Sequence, residues 1–157
     1  MTVSYYRVRT SPNQKDRFQE CMSNNIIGIG WKTIGDIKDN DEEQIREKLS
    51  KHVELIGNNR NIGKTTGFFK KMLAMKPKDI IIVPHKRDII FLEVTDSYEY
   101  ISSLETLDLA HTVKVSKIKK LSIDIVSAKL KNAINTPATI ISLDKYHDEI
   151  QQVLQDR

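Results

Sequence analysis

The sequence predicts an α+β domain built on a small β-barrel of five to six short strands with flanking helices. Short segments rich in β-branched residues recur along the chain, as expected for strands. Helical patterns lie between some of them, but strands and helices do not alternate regularly, which favours an α+β arrangement. The 157 residues suffice for one hydrophobic core, so we expect residues 1–157 to form a single domain.

The first quarter of the chain predicts a strand, a helix and a second strand. Residues 4–10 alternate apolar and polar side chains, which is typical of a half-buried strand. The Ser-Pro-Asn-Gln start of segment 11–23 suits a capped helix, because Ser caps helices and Pro fits their first turn. Residues 26–31 then form an apolar, β-branched run that indicates a buried strand.

Two further helices are predicted before the middle of the chain. Segment 40–51 opens with an Asn-Asp-Glu-Glu capping-box pattern and is otherwise mostly charged, so we expect a surface helix. Segment 57–63 has the Gly and Asn content of a turn. Thr65 or Thr66 would then cap a short helix over 67–75.

The second half of the chain reads mainly as strands. A polar loop at 84–88 predicts a hairpin, and Asp96-Ser97 predicts a turn. The predicted strands cover 80–83, 89–95, 98–101, 110–118 and 138–143, and the predicted helices cover 122–134 and 144–155.

Composition excludes several classes of protein. The first ten residues lack the apolar region of a signal peptide, and the aliphatic runs are too short to span a bilayer. Cys21 is the only cysteine, which excludes an intramolecular disulfide and a metal site built from cysteines. We therefore expect a cytoplasmic protein without a membrane partner.

Charge is unevenly distributed along the chain, although the net charge is only +4. Residues 55–78 hold six basic side chains and no acid, and residues 114–131 hold six lysines against one acid. Acidic residues collect instead in 36–54 and 88–108. This pattern suggests basic faces that attract polyanions, nucleic acid in particular, although a solvated lysine-rich surface is the alternative.

Motifs for catalysis are weak. The Gly57 to Thr65 segment resembles a phosphate-binding loop, but five residues separate its glycines instead of four, so its amides would not converge on one anion. The four histidines show no metal-ligand spacing and none adjoins a nucleophile. We therefore expect binding rather than enzymatic turnover, with no metal and no cofactor.

The strand at 26–31 ends in the only tryptophan, Trp31. Gly28 and Gly30 alternate with isoleucines, so one face of this strand carries almost no side chains and lets another element or a ligand approach its backbone. Trp31 itself is either a large core residue or a flat platform on which a base can stack.

The order of several motifs resembles a known superfamily. The matching segments are IGIGW at 27–31 with Gly35-Asp36, FFKKM at 68–72 leading into KPKDIIIVP at 76–84, EVTDSYEY at 93–100, His111 with Val113 and Val115, and Leu130 with TIISL at 139–143. Together they resemble the PUA-like superfamily, which contains the EVE, YTH and ASCH domains. In particular, they look like the N-terminal domains of McrB- and Mrr-type modification-dependent restriction proteins. It spans most of the chain.

Two positions depart from this pattern. Lys78 stands where such domains commonly have glycine before the aspartate. Ser116-Lys117 stands where a tryptophan often follows the histidine strand, so no role of that tryptophan is carried over.

The resemblance implies a compact barrel that binds nucleic acid and takes a modified base into an aromatic pocket. In this sequence it implies Trp31 as a stacking wall. Tyr98 or Tyr100 as a second wall and Asp36 as an acceptor for the base edge follow from position alone.

We therefore expect a module that recognises a methylated or hydroxymethylated base in DNA by base flipping, as the targeting domain of a restriction or defence system. Its partners would be nucleic acid, DNA rather than RNA, and a fused or separate motor or nuclease subunit. RNA binding by the same fold and a protein-interaction role in a defence assembly are the alternatives. Candidate phosphate-binding residues are Lys64, Lys70, Lys71, Lys76, Lys78 and Lys114.

Overall fold

The computed structural model describes residues 2–52 and 59–156. The strands of this part are β1 (Tyr5–Val8), β2 (Ile26–Ile29), β3 (Ile80–His85), β4 (Asp88–Tyr100), β5 (His111–Ser122) and β6 (Ile140–Ser142). The α-helices are α1 (Phe18–Asn24), α2 (Glu42–Ser50), α3 (Asn59–Ala74), α4 (Ala128–Ile134) and α5 (His147–Gln155). The predicted α+β class is confirmed. None of these helices is both long and apolar enough to cross a membrane.

The six strands form one sheet in the order β2-β5-β4-β3-β1-β6, curled into a half-barrel. Its neighbouring strands are antiparallel except for β1 and β3, which are parallel. The predicted turn at 96–97 is wrong, because β4 continues through it as one strand of 13 residues. Register shifts on either side of Asp96 absorb the irregularity, and such bulges increase the local twist of a strand.

Helices cover both faces of the sheet. The first four residues of β3, residues 80–83, explain why, since all four are aliphatic and buried and alternate residues point to opposite sides. Ile81 and Val83 join the core beneath α1, α2 and α3, whereas Ile80 and Ile82 join the core beneath α4 and α5.

Three predicted helix starts differ from the structure. The helix expected over 11–23 begins only at Phe18, because the Ser11 side chain makes no capping hydrogen bond and Pro12–Gln14 forms a separate 3-10 turn. The capping box of α2 is made by Asp41 and Gln44, one residue later than expected. The predicted helix 122–134 is interrupted, since Ile123–Ile125 forms a 3-10 turn and Ser127 then caps α4.

The predicted turn at 57–63 is also wrong where the structure describes it. Residues 57 and 58 lie outside the described part of the chain, but Asn59–Ala74 is one helix of 16 residues. Thr65 and Thr66 therefore lie inside α3 and do not cap it.

The two glycines of the predicted bare strand face have different surroundings. At Gly28 another element approaches, because a Cβ there would lie only 2.7 Å from the backbone oxygen of Leu109. At Gly30 the nearest atom to such a Cβ is a side-chain carbon of Pro12 at 3.6 Å, which is an ordinary contact distance.

Gly28→Ala is therefore expected to lower the free energy of unfolding by about 1–3 kcal/mol, since overpacking forces the backbone to shift. Gly30→Ala is the matched control and should be close to neutral. Urea unfolding of both variants measures the difference, and equal stabilities would contradict the close approach of Leu109.

Candidate functional site

A cleft of about 640 Å³ opens where the end of β2, helix α3 and the segments flanking β1 and β6 meet. This volume lies within the about 300–1,000 Å³ typical of ligand sites. Its apolar lining consists of Pro12, Ile29, Trp31, Phe68 and Pro137. A second cleft of about 250 Å³ beside α1 has one aromatic side chain in its lining. The larger cleft is the candidate site, because it contains the tryptophan.

Trp31 is partly buried, and both sequence interpretations apply to it. Its ring contacts the core through Phe69, with ring centroids 5.7 Å apart in an edge-to-face arrangement, and lies 6.1 Å from the ring of Phe68. The same side chain lines the cleft. Trp31 and Phe68 therefore form an aromatic wall that is anchored in the core on one side and borders the cleft on the other.

The backbone of Trp31 is held from below by a buried hydrogen-bond chain. His111 Nε2 lies 3.0 Å from the carbonyl oxygen of Trp31, and His111 Nδ1 lies 2.8 Å from the hydroxyl of Tyr98. Burial lowers the pKa of His111 to about 4, so the imidazole is neutral. A carbonyl only accepts, so Nε2 carries the proton and the Tyr98 hydroxyl donates to Nδ1. The Ile37 amide donates to that hydroxyl at 3.3 Å and completes the chain.

This chain fixes an unusual backbone conformation. Trp31 has φ 65°, in the left-handed region that non-glycine residues rarely adopt. A hydrogen bond from a fully buried imidazole offsets part of that strain and fixes where the carbonyl points. His111 and Tyr98 are therefore positioning residues for Trp31.

The other predicted base-binding residues lie outside the cleft lining. Tyr98 is only 5% exposed, and its ring does not border the cleft. The Tyr100 hydroxyl donates to Glu105, and burial together with that carboxylate raises the pKa of Tyr100 to about 12. The Asp36 carboxylate accepts from the Lys38 amide at 2.9 Å in a local turn. Phe68 supplies the second ring instead.

Most of the predicted phosphate-binding lysines lie in ion pairs away from the cleft. Lys64 alone of the six lines it. The pairs are Lys70 with Glu42 at 3.2 Å, Lys76 with Asp79 at 2.9 Å, Lys78 with Glu93 at 3.4 Å and Lys114 with Glu99 at 3.9 Å. Lys71 lies outside the cleft lining as well. Segments of opposite charge that are separate in the sequence thus become neighbours in the fold.

Uncompensated positive charge remains at the cleft. Lys64 is exposed and forms no ion pair with any described residue. Arg9 also lines the cleft and donates to the carbonyl oxygens of Thr136 and Asn135, both at 3.0 Å. The guanidinium groups of Arg7 and Arg9 pair with no carboxylate in the described part of the chain. The cleft therefore favours an anionic ligand.

Arg7 lies behind Arg9 and is fully buried. It donates to the carbonyl oxygens of Ala138 and Thr136, and burial, followed by the charge of Arg9, lowers its pKa to about 10. The two arginines hold the segment that precedes β6, which contributes Pro137 and Thr139 to the cleft. Arg7 thus shapes one wall of the cleft without lining it.

Within residues 2–52 and 59–156, no three His, Cys, Asp or Glu side chains are grouped so that they could hold a metal ion.

Comparisons with known proteins give one family and several distant structural likenesses. A family model described as "Domain of unknown function (DUF8426)" matches residues 6–144. No curated protein matches the sequence. The structure is similar to protein Atu2648 from Agrobacterium tumefaciens, with 12% identity, a TM-score of 0.43, and 98% of this chain and 94% of that chain covered. It is also similar to the YTH domain of the Zygosaccharomyces rouxii MRB1 protein, solved in complex with N6-methyladenosine RNA, with 10% identity, a TM-score of 0.48, and 99% and 92% covered.

Proposed function

The chain belongs to the family described as a domain of unknown function (DUF8426), and we propose that it is a nucleic-acid-binding module that takes a modified base into the Trp31 cleft. One observation carries the proposal. The aromatic wall of Trp31 and Phe68 borders a cleft of about 640 Å³ that also contains Arg9 and Lys64, neither of which pairs with a carboxylate among the described residues. A flat apolar wall next to positive charge suits a heteroaromatic base attached to a phosphate.

The free energies of stacking and base eversion indicate how a nucleic-acid strand would bind to this cleft. Stacking returns about 1–3 kcal/mol per base, whereas everting a base from a duplex costs a few kcal/mol. Stacking alone therefore cannot sustain tight binding to a duplex, and phosphate contacts must add to it. Because four of the other five predicted phosphate-binding lysines form ion pairs away from the cleft, we propose contacts to few phosphates and preferential capture of an unpaired or weakly paired base.

The finer proposal is a methylated or hydroxymethylated base in DNA, read by the targeting module of a cytoplasmic restriction or defence system. A motor or nuclease subunit, fused or separate, would then act on the marked strand, and the module itself would bind without turnover. The resemblance of its ordered motifs to McrB- and Mrr-type N-terminal domains supports this. RNA is the alternative polymer, and a read-out of the 2′-hydroxyl would distinguish it.

The lone tryptophan provides the test, because all tryptophan emission comes from Trp31, which borders the cleft. Short single strands and duplexes of DNA and RNA would each carry one 5-methylcytosine, 5-hydroxymethylcytosine or N6-methyladenine. We expect the emission of Trp31 to be quenched by at least one modified strand and less by its unmodified counterpart. No change with any strand at low salt would overturn the proposal.

Salt dependence gives a further prediction. With two cations at phosphates, log K should fall with log salt with a slope of about −1.4 on a single strand. Lys64→Gln should reduce that slope by about 0.7 and weaken modified and unmodified strands alike. Lys70→Gln is the matched control on the same helix, since Lys70 is paired with Glu42 outside the cleft. Equal slopes for the two variants would exclude Lys64 from the phosphate site.

A further inference from the structure

We propose that the hydroxyl of Thr65 reads the hydrogen-bonding edge of the captured base, an inference that rests on the proposed function. Thr65 lines the cleft and is only 4% exposed. Its hydroxyl makes no hydrogen bond to any residue that the structure describes. A hydroxyl that is bonded to no described group and borders the space that a ligand would fill is available to that ligand.

The neighbouring Thr66 makes the difference clear. It is 1% exposed, and its hydroxyl donates to the Ile62 carbonyl at 2.7 Å, one helical turn earlier. That bond is the usual way in which a threonine inside a helix satisfies its hydroxyl. Thr65, on the same helix and equally deep, has the same option but does not use it.

Other polar groups in the cleft have partners or are open to water. Lys32 lies 3.7 Å from Asp108, and Arg9 is bonded to backbone carbonyls. Ser11 and Thr33 are exposed, so water satisfies their hydroxyls. Of the described residues in the cleft lining, Thr65 is the one that combines deep burial with an unpartnered side chain.

Helix geometry places this hydroxyl beside the aromatic wall. Thr65 and Phe68 are three residues apart on α3, and residues with this spacing are neighbours on one helix face. A base stacked on the Trp31–Phe68 wall would therefore present its edge to Thr65, and its phosphate would lie toward Lys64 and Arg9. A hydroxyl both donates and accepts, so it suits a base with a ring nitrogen, an amino group or a carbonyl at that edge.

The test compares Thr65→Val with Thr66→Val. The probes are labelled single strands that carry one 5-methylcytosine, 5-hydroxymethylcytosine or N6-methyladenine, and the same strands with an abasic site instead. Thr65→Val keeps the shape of the side chain and should weaken binding of the preferred modified strand about tenfold, without changing the affinity for the abasic strand. Its melting temperature should be unchanged or higher, because no bond is lost in the free protein. Thr66→Val should bind as the parent does.

Thr65→Ser is the conservative variant, and it should restore most of the affinity. A Thr65→Val protein that binds the modified strand as tightly as the parent overturns this inference but leaves the proposed function intact. A weaker affinity for modified and abasic strands alike, with no rescue by serine, would mean a purely structural role and also overturns it. A parent protein that binds none of the modified strands overturns the proposed function and this inference together.

Discussion

Trp31→Ala is expected to weaken binding of the preferred modified strand roughly 5- to 150-fold, since stacking contributes about 1–3 kcal/mol per base. The fold should tolerate the change, because the indole is only partly buried and Phe69 remains in the core beneath it. The loss of stability should therefore be smaller than the about 3–5 kcal/mol typical of a large buried aromatic residue. Anisotropy of a labelled strand measures binding without the indole, and urea unfolding measures stability.

Trp31→Phe is the control for this experiment. It keeps a flat ring next to Phe68 and should retain most of the affinity if stacking is the cause. An alanine variant that binds every strand like the parent would mean that the indole only packs against the core. In that case a protein-interaction role would become the better account of the cleft.

Local patterns in the sequence were sufficient for the fold class but not for the length of α3. The Gly57 to Gly63 segment has turn-forming composition, yet α3 runs through Gly63 and Gly67. Propensity is a weak guide when tertiary packing decides, and here Ile62, Phe69 and Met72 are all buried on the core side of one helix. Because the start of the helix was missed, the positions of Lys64 and Thr65 relative to Phe68 were missed too.

The pairing of charged side chains is the second feature that the linear sequence could not predict. The basic segment 114–131 looks like one positive face, but antiparallel pairing sets β5 beside the acidic β4. Lys114 thereby meets Glu99, and Lys120 meets Asp88 at 3.5 Å. Which lysine meets which acid depends on the bulges in β4, and no periodicity in the sequence specifies them.

Some site residues did leave a signal in the sequence. Arg7 and Arg9 are two residues apart in a predicted strand, so alternation already places them on one face. Lys78 stands where the resemblance expects glycine, and its φ of 85° is a conformation that glycine adopts without strain.

The buried hydrogen-bond chain through His111 predicts the second large effect, which is a stability that depends on pH. The folded protein holds His111 neutral with a pKa of about 4, because burial disfavours the charged ring, whereas an unfolded histidine titrates near 6.5. Between these values the unfolded chain binds a proton that the folded protein does not. The free energy of unfolding should therefore fall as pH decreases from about 6.5 to 4, by about 3 kcal/mol in total, and this contribution should level off below pH 4.

His111→Gln separates this contribution from that of the other titrating groups, since an amide can donate and accept but does not titrate. Urea unfolding at a series of pH values from 7 to 4 should show the parent losing about 3 kcal/mol relative to the glutamine variant. Tyr98→Phe is the control, because it removes the donor to Nδ1 but retains the histidine. It should be less stable than the parent at neutral pH and should still lose stability as pH decreases, but by a smaller amount, because the bond to Nδ1 favours the neutral ring. Parallel profiles for the parent and His111→Gln would mean that His111 is not held neutral beneath Trp31.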